Sequence, residues 1–193
     1  MTRPIHGLFL DIGTVGPSDL DLEPLLTTLP DWSFPETPGR GATAAAIQDA
    51  AIVVTNKVPL DRDILLQADS LRLVCVAATG TNNVDLAAAA EKNITVCNVR
   101  AYATASVVEH VFLLILALSR RLQQYRAAVR RGDWQKADGF CLLDYPIREL
   151  AGQTLGIIGC GELGRAVARM GEAFGMQVLI AQRPGTPATP GRT

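Results

Sequence analysis

The chain has few histidines, cysteines and aromatic residues. Its 193 residues include two histidines, His6 and His110, and four cysteines without the paired spacing of a zinc site. We therefore predict no metal ion. Aromatic residues make up 5% of the chain, and the formal net charge is −1. A nearly neutral chain with few stacking side chains has little general attraction for nucleic acid, so we predict no nucleic-acid partner.

Long hydrophobic runs are also missing. The longest run, at 111–118, is far short of the roughly 20 residues that span a bilayer, and it predicts a buried helix instead. No apolar stretch follows Arg3, so the sequence predicts no signal peptide, no membrane association and a cytoplasmic location. Cys75, Cys97 and Cys160 fall in or beside apolar strands, where we expect free thiols that pack as small hydrophobic groups.

Apolar strands and helices alternate regularly through the first hundred residues. Hydrophobic residues make up 48% of the chain, enough for a substantial core. The alternation predicts a parallel sheet covered by helices on both faces. The predicted strands are 7–10, 32–34, 51–54, 71–76 and 94–97, and the predicted helices are 22–26, 44–50, 61–67 and 84–92. A loop is predicted at 35–41, which is rich in proline and glycine.

One long helix is predicted from Thr104 to about Arg131. Several arginines gather towards its far end, and we interpret them as a solvated face that suits the negative end of the helix dipole. Gly132 predicts the end of the helix, and 133–150 predicts an irregular connection. The apolar stripe of the helix consists of Val107, Val111, Leu114, Ile115 and Leu118.

A glycine-rich turn then opens a strand–helix–strand unit. The apolar run at 154–158 predicts a buried parallel strand, Gly175 predicts the end of the following helix, and 177–181 predicts a second strand. The apolar face of this helix consists of Leu163, Val167, Met170 and Phe174.

The three glycines of the turn have separate physical roles in a dinucleotide site. Gly159 allows the tight turn, Gly161 lets the backbone approach a pyrophosphate, and Gly164 lets the helix pack closely on the strand. The phosphates would lie at the helix N-terminus, where N–H groups lack intrahelical partners. The motif predicts NAD or NADP as cofactor, and an ordinary glycine-containing turn is the alternative.

The residues after the second strand bear on the choice between NAD and NADP. An Asp or Glu usually binds the adenosine ribose at the end of this strand, but here Gln182 is followed by Arg183. A neutral amide beside a guanidinium does not repel a 2′-phosphate, so the pair predicts that NADP is tolerated or preferred. In the alternative, Gln182 hydrogen-bonds the ribose hydroxyls and Arg183 is a solvated surface charge.

Three polar segments follow strands of the first sheet. They are 55–57, 77–83 and 98–102. Ligands of parallel sheets bind beyond the carboxyl ends of the strands, so these segments predict a binding site for a small acid. Lys57, Arg100, the Tyr102 hydroxyl and the N–H groups of the Thr79–Gly80 turn are suited to a carboxylate. The alternative for 79–83 is a capped turn between strand and helix.

The linear order of these motifs resembles the N-terminal part of the D-2-hydroxyacid dehydrogenases, and most closely their glycerate dehydrogenase or hydroxypyruvate reductase members. The resemblance rests on FLDIGTVGPSDLDLEPL, AATGTNNVDLAAAAEKNITVCNVRAYATASVVEHV, GDW and ELAGQTLGIIGCGELG. It implies a flavodoxin-like substrate domain interrupted by a Rossmann domain. The implied division is a substrate domain at 1–101, hinge helices at 102–150 and the start of the Rossmann domain at 151–193.

The resemblance also implies roles for individual residues. Thr79 and Gly80 would lie beside the substrate carboxylate and the nicotinamide. The substrate cleft would further include Tyr102 and Asn56 or Lys57. The cofactor would be contacted by Thr104 and by the backbone N–H groups of Glu162 and Leu163.

The activity implied by the resemblance is reversible hydride transfer between NAD(P) and C2 of a small 2-keto or 2-hydroxy acid. In the family an arginine polarises the substrate carbonyl, and a histidine oriented by a glutamate delivers the proton. All three lie downstream of the glycine motif, so we assign no catalytic residue to this chain and expect it to be inactive alone. Neither His6 nor His110 has the setting of an oriented acid–base pair.

The family further implies a homodimer when full length. Two other interpretations remain open from the residues. One is a non-catalytic dinucleotide-binding sensor or scaffold protein, and the other is a fragment that does not fold stably because a single strand–helix–strand unit leaves sheet edges uncovered.

Overall fold

The computed structural model describes residues 5–35 and 39–181. The chain divides into two compact units, Met1–Arg100 and Ala101–Thr193. The strands are β1 (His6–Phe9), β2 (Asp31–Ser33), β3 (Ile52–Thr55), β4 (Leu73–Val76), β5 (Thr95–Asn98), β6 (Thr154–Ile158) and β7 (Gln177–Ala181). The α-helices are α1 (Glu23–Leu26), α2 (Arg40–Ile47), α3 (Arg62–Leu66), α4 (Leu86–Glu91), α5 (Thr104–Ser119), α6 (Leu122–Arg131), α7 (Asp133–Lys136) and α8 (Glu162–Ala173).

The first unit is built on a five-stranded parallel sheet. Its strand order is β2-β1-β3-β4-β5, the flavodoxin-like order. Leu8, Val53, Val74 and Val96 form one row across four neighbouring strands. The predicted α/β class and the five predicted strands are confirmed. Helix α2 begins at Arg40, inside the predicted loop 35–41, of which residues 36–38 lie outside the described residues.

The core of this unit lies on one face of the sheet. Val53 and Val74 are fully buried there, together with Leu65 of α3 and Ala88 of α4. The opposite face carries Phe9 and Val54, which are buried, Leu73 and Cys75, which are partly buried, and Cys97, which is exposed. Helices α2, α3 and α4 contribute to the core cluster on the first face, and the expectation of helices on the second face stays a prediction. Strand periodicity predicts two apolar faces but not what covers each of them.

Two of the cysteines are neighbours on this second face. Cys75 and Cys97 are paired in register on β4 and β5, and their sulfur atoms are 3.4 Å apart. Both are free thiols. Burial, together with the hydrogen bond and charge interaction with Cys97, raises the pKa of the Cys75 thiol to about 12, so it is protonated at neutral pH. The predicted free thiols are confirmed, but the expectation that Cys97 is buried was wrong.

The predicted long helix is divided into α5 and α6. Arg121 separates them in a left-handed conformation, with φ of 53°. Gly132 ends α6 with φ of 77°, as predicted, but the irregular connection begins with the short helix α7. The apolar stripe was only partly correct, because Leu114 and Leu118 are 51% and 74% exposed. No helix among the described residues is long and apolar enough to cross a membrane.

The strand–helix–strand unit has the predicted bounds. Strands β6 and β7 pair in parallel from Thr154↔Gln177 to Ile158↔Ala181, and α8 connects them. A second core joins α5 and α8, where the rings of Phe112 and Phe174 stack with centroids 5.1 Å apart.

The predicted apolar face of α8 was partly wrong. Leu163 and Met170 are 44% and 39% exposed, whereas Val167 packs against the buried cluster of this core and Phe174, although 37% exposed, stacks on Phe112 of that cluster. The buried residues of α8 are Ala166, Ala168 and Gly171. Small residues therefore make the closest contacts of this helix, and a pattern based on large apolar side chains misses them.

Candidate functional site

Hydrogen bonds join the three predicted loops at the carboxyl edge of the first sheet. The Ala77 N–H donates to the Thr55 carbonyl at 2.8 Å, which links the ends of β3 and β4. The Asn98 side chain donates to the Thr79 carbonyl at 2.7 Å, which links the ends of β4 and β5. The Leu60 N–H donates to the Asn83 carbonyl, also at 2.7 Å. The structure thus brings the segments 55–57, 77–83 and 98–100 together.

The predicted substrate residues of this edge differ in exposure. Lys57, Thr79, Gly80 and Arg100 are exposed, and Asn56 is 9% exposed. Gly80 does not have a positive φ, and a Cβ there would meet only the Asn82 side-chain oxygen, at 3.0 Å. The local backbone therefore does not demand glycine at position 80.

Asp11 is a residue of this edge that sequence reasoning missed. It is 1% exposed and follows β1 by two positions. Its carboxylate accepts the N–H groups of Asn56, Lys57 and Val58 at 2.8, 2.6 and 3.2 Å. The available signal was a single acidic residue directly after the apolar run 7–10, at the carboxyl end of a strand.

The glycine-rich turn of the second unit has the geometry that a dinucleotide requires. Gly159 has φ of 88°, in the left-handed region that favours glycine. Gly161 directly precedes the first residue of α8, and as a glycine it leaves the N-terminus of the helix without a side-chain cap. A Cβ on Gly159 or Gly161 would meet no atom within 4 Å, whereas a Cβ on Gly164 would overlap the Gly159 carbonyl oxygen. The three glycines thus provide a turn, an open approach and a close helix–strand contact, as predicted.

Two side chains flank this turn within the second unit. The Thr104 hydroxyl donates to the Glu162 carboxylate at 2.5 Å, which ties the first residue of α5 to the first residue of α8. Arg165 donates to the Cys160 carbonyl at 3.1 Å and so places a cation beside the turn. Sequence reasoning missed Arg165, although its position in the first turn of the helix was the available signal. Leu163, also in the first turn, is 44% exposed.

This arrangement fits the pyrophosphate of NAD or NADP. The first turn of α8 presents N–H groups towards the open space above Gly159 and Gly161, and Arg165 adds positive charge nearby.

Gln182 and Arg183, on which the choice between NAD and NADP depends, lie outside the described residues. Tyr102 is 66% exposed and belongs to the second unit, so its predicted place in the substrate cleft stays a prediction.

His6 does not lie at the carboxyl edge of the first sheet. It lies at the start of β1, with its Nδ1 atom 2.8 Å from the carboxylate of Asp31 in β2, a partner that sequence reasoning missed. This pair lies at the opposite end of the strands from the loops described above. His110 is exposed on α5. Across 5–35 and 39–181 no group of three or more metal-ligating side chains is found.

A flavodoxin-like sheet and a separate glycine-rich βαβ unit together define a class of two-unit α/β nucleotide-binding proteins. Comparison with known families makes the assignment specific. The family model described as D-isomer specific 2-hydroxyacid dehydrogenase, catalytic domain, matches residues 16–187. The chain belongs to this family, as the sequence motifs predicted.

Curated relatives are similar over most of the chain. Glycerate dehydrogenase of Methylorubrum extorquens is 47% identical over 169 residues, which cover 83% of this chain and 53% of the relative. Hydroxypyruvate reductase of Blautia hydrogenotrophica is 39% identical over 142 residues, covering 74% of this chain and 44% of the relative. The chain spans about half the length of these relatives.

Solved structures of the family have the same fold. The 2-hydroxyacid dehydrogenase of Ketogulonicigenium vulgare matches with a TM-score of 0.76 and 26% identity, over 100% of this chain and 58% of that one. D-Lactate dehydrogenase of Aquifex aeolicus, solved with NAD and lactic acid, matches with a TM-score of 0.69 and 27% identity, over 93% of this chain and 52% of that one.

Proposed function

We propose that this chain supplies the substrate loops and the dinucleotide-phosphate site of an oxidoreductase that acts on a small D-2-hydroxy acid. The substrate would be of the glycerate, hydroxypyruvate or glyoxylate type. The observation that carries this proposal is the open glycine turn of 159–164 at the N-terminus of α8 in a member of this family.

The proposed cofactor is NAD or NADP, which when bound supplies or accepts the hydride at C2 of the acid. The N–H groups of Glu162 and Leu163 would hold the pyrophosphate. The Glu162 carboxylate is bonded to Thr104, so it is held by a neighbouring hydroxyl rather than left without a partner beside the phosphates. Gln182 and Arg183 would contact the adenosine ribose, and Thr79 and Thr104 would lie near the cofactor.

The proposed substrate site lies on the loops at the carboxyl edge of the first sheet. Thr79 and Gly80 would receive the substrate carboxylate through their N–H groups. Because the local backbone does not demand glycine at position 80, the close approach of a ligand is a sufficient reason for one there. Asn56, Lys57 and Tyr102 would complete the site. The exposed ammonium of Lys57 suits an acidic substrate.

The chain does not supply the proton donor of the reaction in this proposal. Its two histidines are His6, paired with Asp31 at the other end of the sheet, and His110, exposed on α5. The catalytic Arg, Glu and His that the family resemblance implies would be contributed by other residues of the complete gene product. The domain division at 1–101, 102–150 and 151–193 and the cytoplasmic location are part of the same proposal.

Steady-state assays of the complete gene product test this function. We expect oxidation of NADH or NADPH with hydroxypyruvate or glyoxylate, and at least 1,000-fold less turnover from the 193-residue chain, since loss of general acid catalysis alone costs about 10²–10⁴-fold.

A comparison of KM for NADH and NADPH tests the role of Gln182 and Arg183, and a strong preference for NADH contradicts the NADP hypothesis.

Two outcomes would contradict the proposed function. Turnover by the 193-residue chain at ordinary enzyme rates would show that it contains its own acid–base pair. Tight cofactor binding by the complete gene product without turnover of any 2-keto acid would favour the sensor or scaffold interpretation. Equilibrium dialysis against NADH and NADPH distinguishes this second result from a protein that does not bind the cofactor at all.

We also propose that the complete gene product is a homodimer through the cofactor domain and α5. Leu113, Leu114 and Leu118 of this helix are 56%, 51% and 74% exposed, which leaves an apolar surface for a second copy to cover. We expect sedimentation equilibrium to give twice the monomer mass. Leu118→Glu should shift the mass towards the monomer, and a wild-type monomer at micromolar concentration contradicts the proposal.

A further inference from the structure

Asp11 holds a loop of the proposed substrate site through three consecutive N–H groups. One carboxylate oxygen accepts the Asn56 N–H, and the other accepts those of Lys57 and Val58. The carboxylate is 1% exposed, so these bonds replace the water that an ionised group would otherwise bind. Loss of this acceptor would leave three buried or partly buried donors to find new partners, which requires the loop to move.

A second set of contacts, through Thr14, orients the Asn56 side chain. Its amide donates to the Thr14 hydroxyl at 2.9 Å and to the Thr14 carbonyl at 3.3 Å. The Thr14 hydroxyl in turn donates to the Asp11 carbonyl at 2.8 Å, and the Thr14 N–H donates to the same carbonyl at 2.9 Å. The Asp11 carboxylate therefore holds the backbone of the loop 56–58, and the Asp11 carbonyl holds Thr14, which binds the Asn56 side chain.

The loop that Asp11 holds is also joined to the Thr79–Gly80 segment. The Asn83 side chain donates to the Val58 carbonyl at 3.2 Å, and the Asn83 carbonyl accepts the Leu60 N–H at 2.7 Å. Displacement of 56–58 would therefore be transmitted to the loop that carries Thr79. All of these contacts lie within the first unit.

We propose that Asp11 is a positioning residue for the 2-keto acid: it fixes the loop 56–58, and through it Asn56 and Lys57, in the geometry that binds the substrate. This inference rests on the proposed function, since it concerns the substrate site of the same enzyme. A carboxylate is required because it offers acceptors to all three N–H groups. The amide of an asparagine would place its own NH₂ donors against some of them.

The test is Asp11→Asn in the complete gene product, compared with Val53→Ala. Val53 is fully buried in β3 and its side chain takes part in none of the hydrogen bonds of Asp11, so its truncation controls for a general loss of stability. For Asp11→Asn we expect KM for hydroxypyruvate or glyoxylate to rise at least tenfold, kcat to fall less than threefold, and KM for the nicotinamide cofactor to stay within twofold. Val53→Ala should leave all three within twofold.

A second variant keeps the proposal testable if Asp11→Asn does not fold. Thr14→Val removes the hydroxyl that accepts from the Asn56 side chain, and with it a long contact of 3.4 Å to the Asp11 carboxylate, but it leaves the three backbone N–H bonds to that carboxylate in place. We expect it to raise KM for the keto acid about threefold with unchanged cofactor KM. Hydrogen exchange should show faster exchange at the amides of 56–58 in Asp11→Asn and unchanged exchange there in Thr14→Val.

The outcomes separate this inference from the proposed function. An active wild-type protein whose keto-acid KM is unchanged by Asp11→Asn, or by Thr14→Val if the first variant does not fold, overturns the role of Asp11. Equal KM changes in Asp11→Asn and Val53→Ala also overturn it, because the effect would then reflect stability alone. A wild-type protein that turns over no 2-keto acid contradicts the proposed function instead.

Discussion

Replacing Gly164 with alanine is expected to destabilise the βαβ unit by about 3 kcal/mol, at the upper end of the cost of overpacking. A Cβ at this position would overlap the Gly159 carbonyl oxygen, which is backbone and cannot rotate away as a side chain can. The turn between β6 and α8 would have to open. Hydrogen exchange in the complete gene product measures the effect, and protection of the β6 amides should fall by roughly 100-fold, since about 1.4 kcal/mol corresponds to a factor of ten.

Gly156→Ala is the matched control for this substitution. Gly156 lies within β6, does not have a positive φ, and would place a Cβ where no atom lies within 4 Å. Replacing Gly156 with alanine should leave the hydrogen-exchange protection of the β6 amides unchanged or slightly increased, because alanine loses less conformational freedom on folding than glycine. Equal protection in Gly164→Ala and Gly156→Ala would show that the turn tolerates the side chain and that its close packing is not required.

Gly161→Val is expected to weaken binding of NADH and NADPH at least 100-fold without loss of stability. Gly161 has φ of −73°, which valine adopts readily, and a Cβ there would meet no protein atom within 4 Å. The added methyl groups would instead occupy the space that we assign to the pyrophosphate, and they would keep it from the N–H groups of α8. Fluorescence titration of the complete gene product with each cofactor measures the change in Kd.

The thermal midpoint of the same variant is its control. An unchanged Tm together with the loss of affinity would assign the effect to the space above the turn. If Gly161→Val bound NADH and NADPH like the wild type, the pyrophosphate would not lie above Gly161, and the proposed cofactor site would be wrong. A variant with both lower Tm and weaker binding would indicate that the valine distorts the turn, which contradicts the open space seen around Gly161.

The sequence predicted the parts of the fold in which local pattern and tertiary structure agree. The bounds of β6 and β7 were predicted residue for residue, because each short apolar run ends directly before Gly159 or Gln182. The division at Arg121 was not predictable in this way. Arginine is a good helix former, and nothing in its neighbours signals a positive φ. Such a residue is placed by the packing around it, which a single sequence does not contain.

Two parts of the candidate site were predicted from the sequence: the turn 159–164 from its glycine spacing, and the loops of the first sheet from their position after strands. The spacing of the three glycines indicated the positive φ of Gly159, the open space at Gly161 and the close packing at Gly164. Asp11 was missed because its partners are N–H groups 45 to 47 positions away, and every sequence has N–H groups at every such position. The exposed Leu114 and Leu118 show a second limit: periodicity reports which residues suit burial, but not whether another surface covers them.

Among the described residues β6 and β7 pair only with each other, which leaves each strand with one unpaired edge, and Ile158 at the end of β6 is 94% exposed. An unpaired strand edge offers a row of free N–H and C=O groups to another strand, so these two edges are where the sheet of the second unit would be extended.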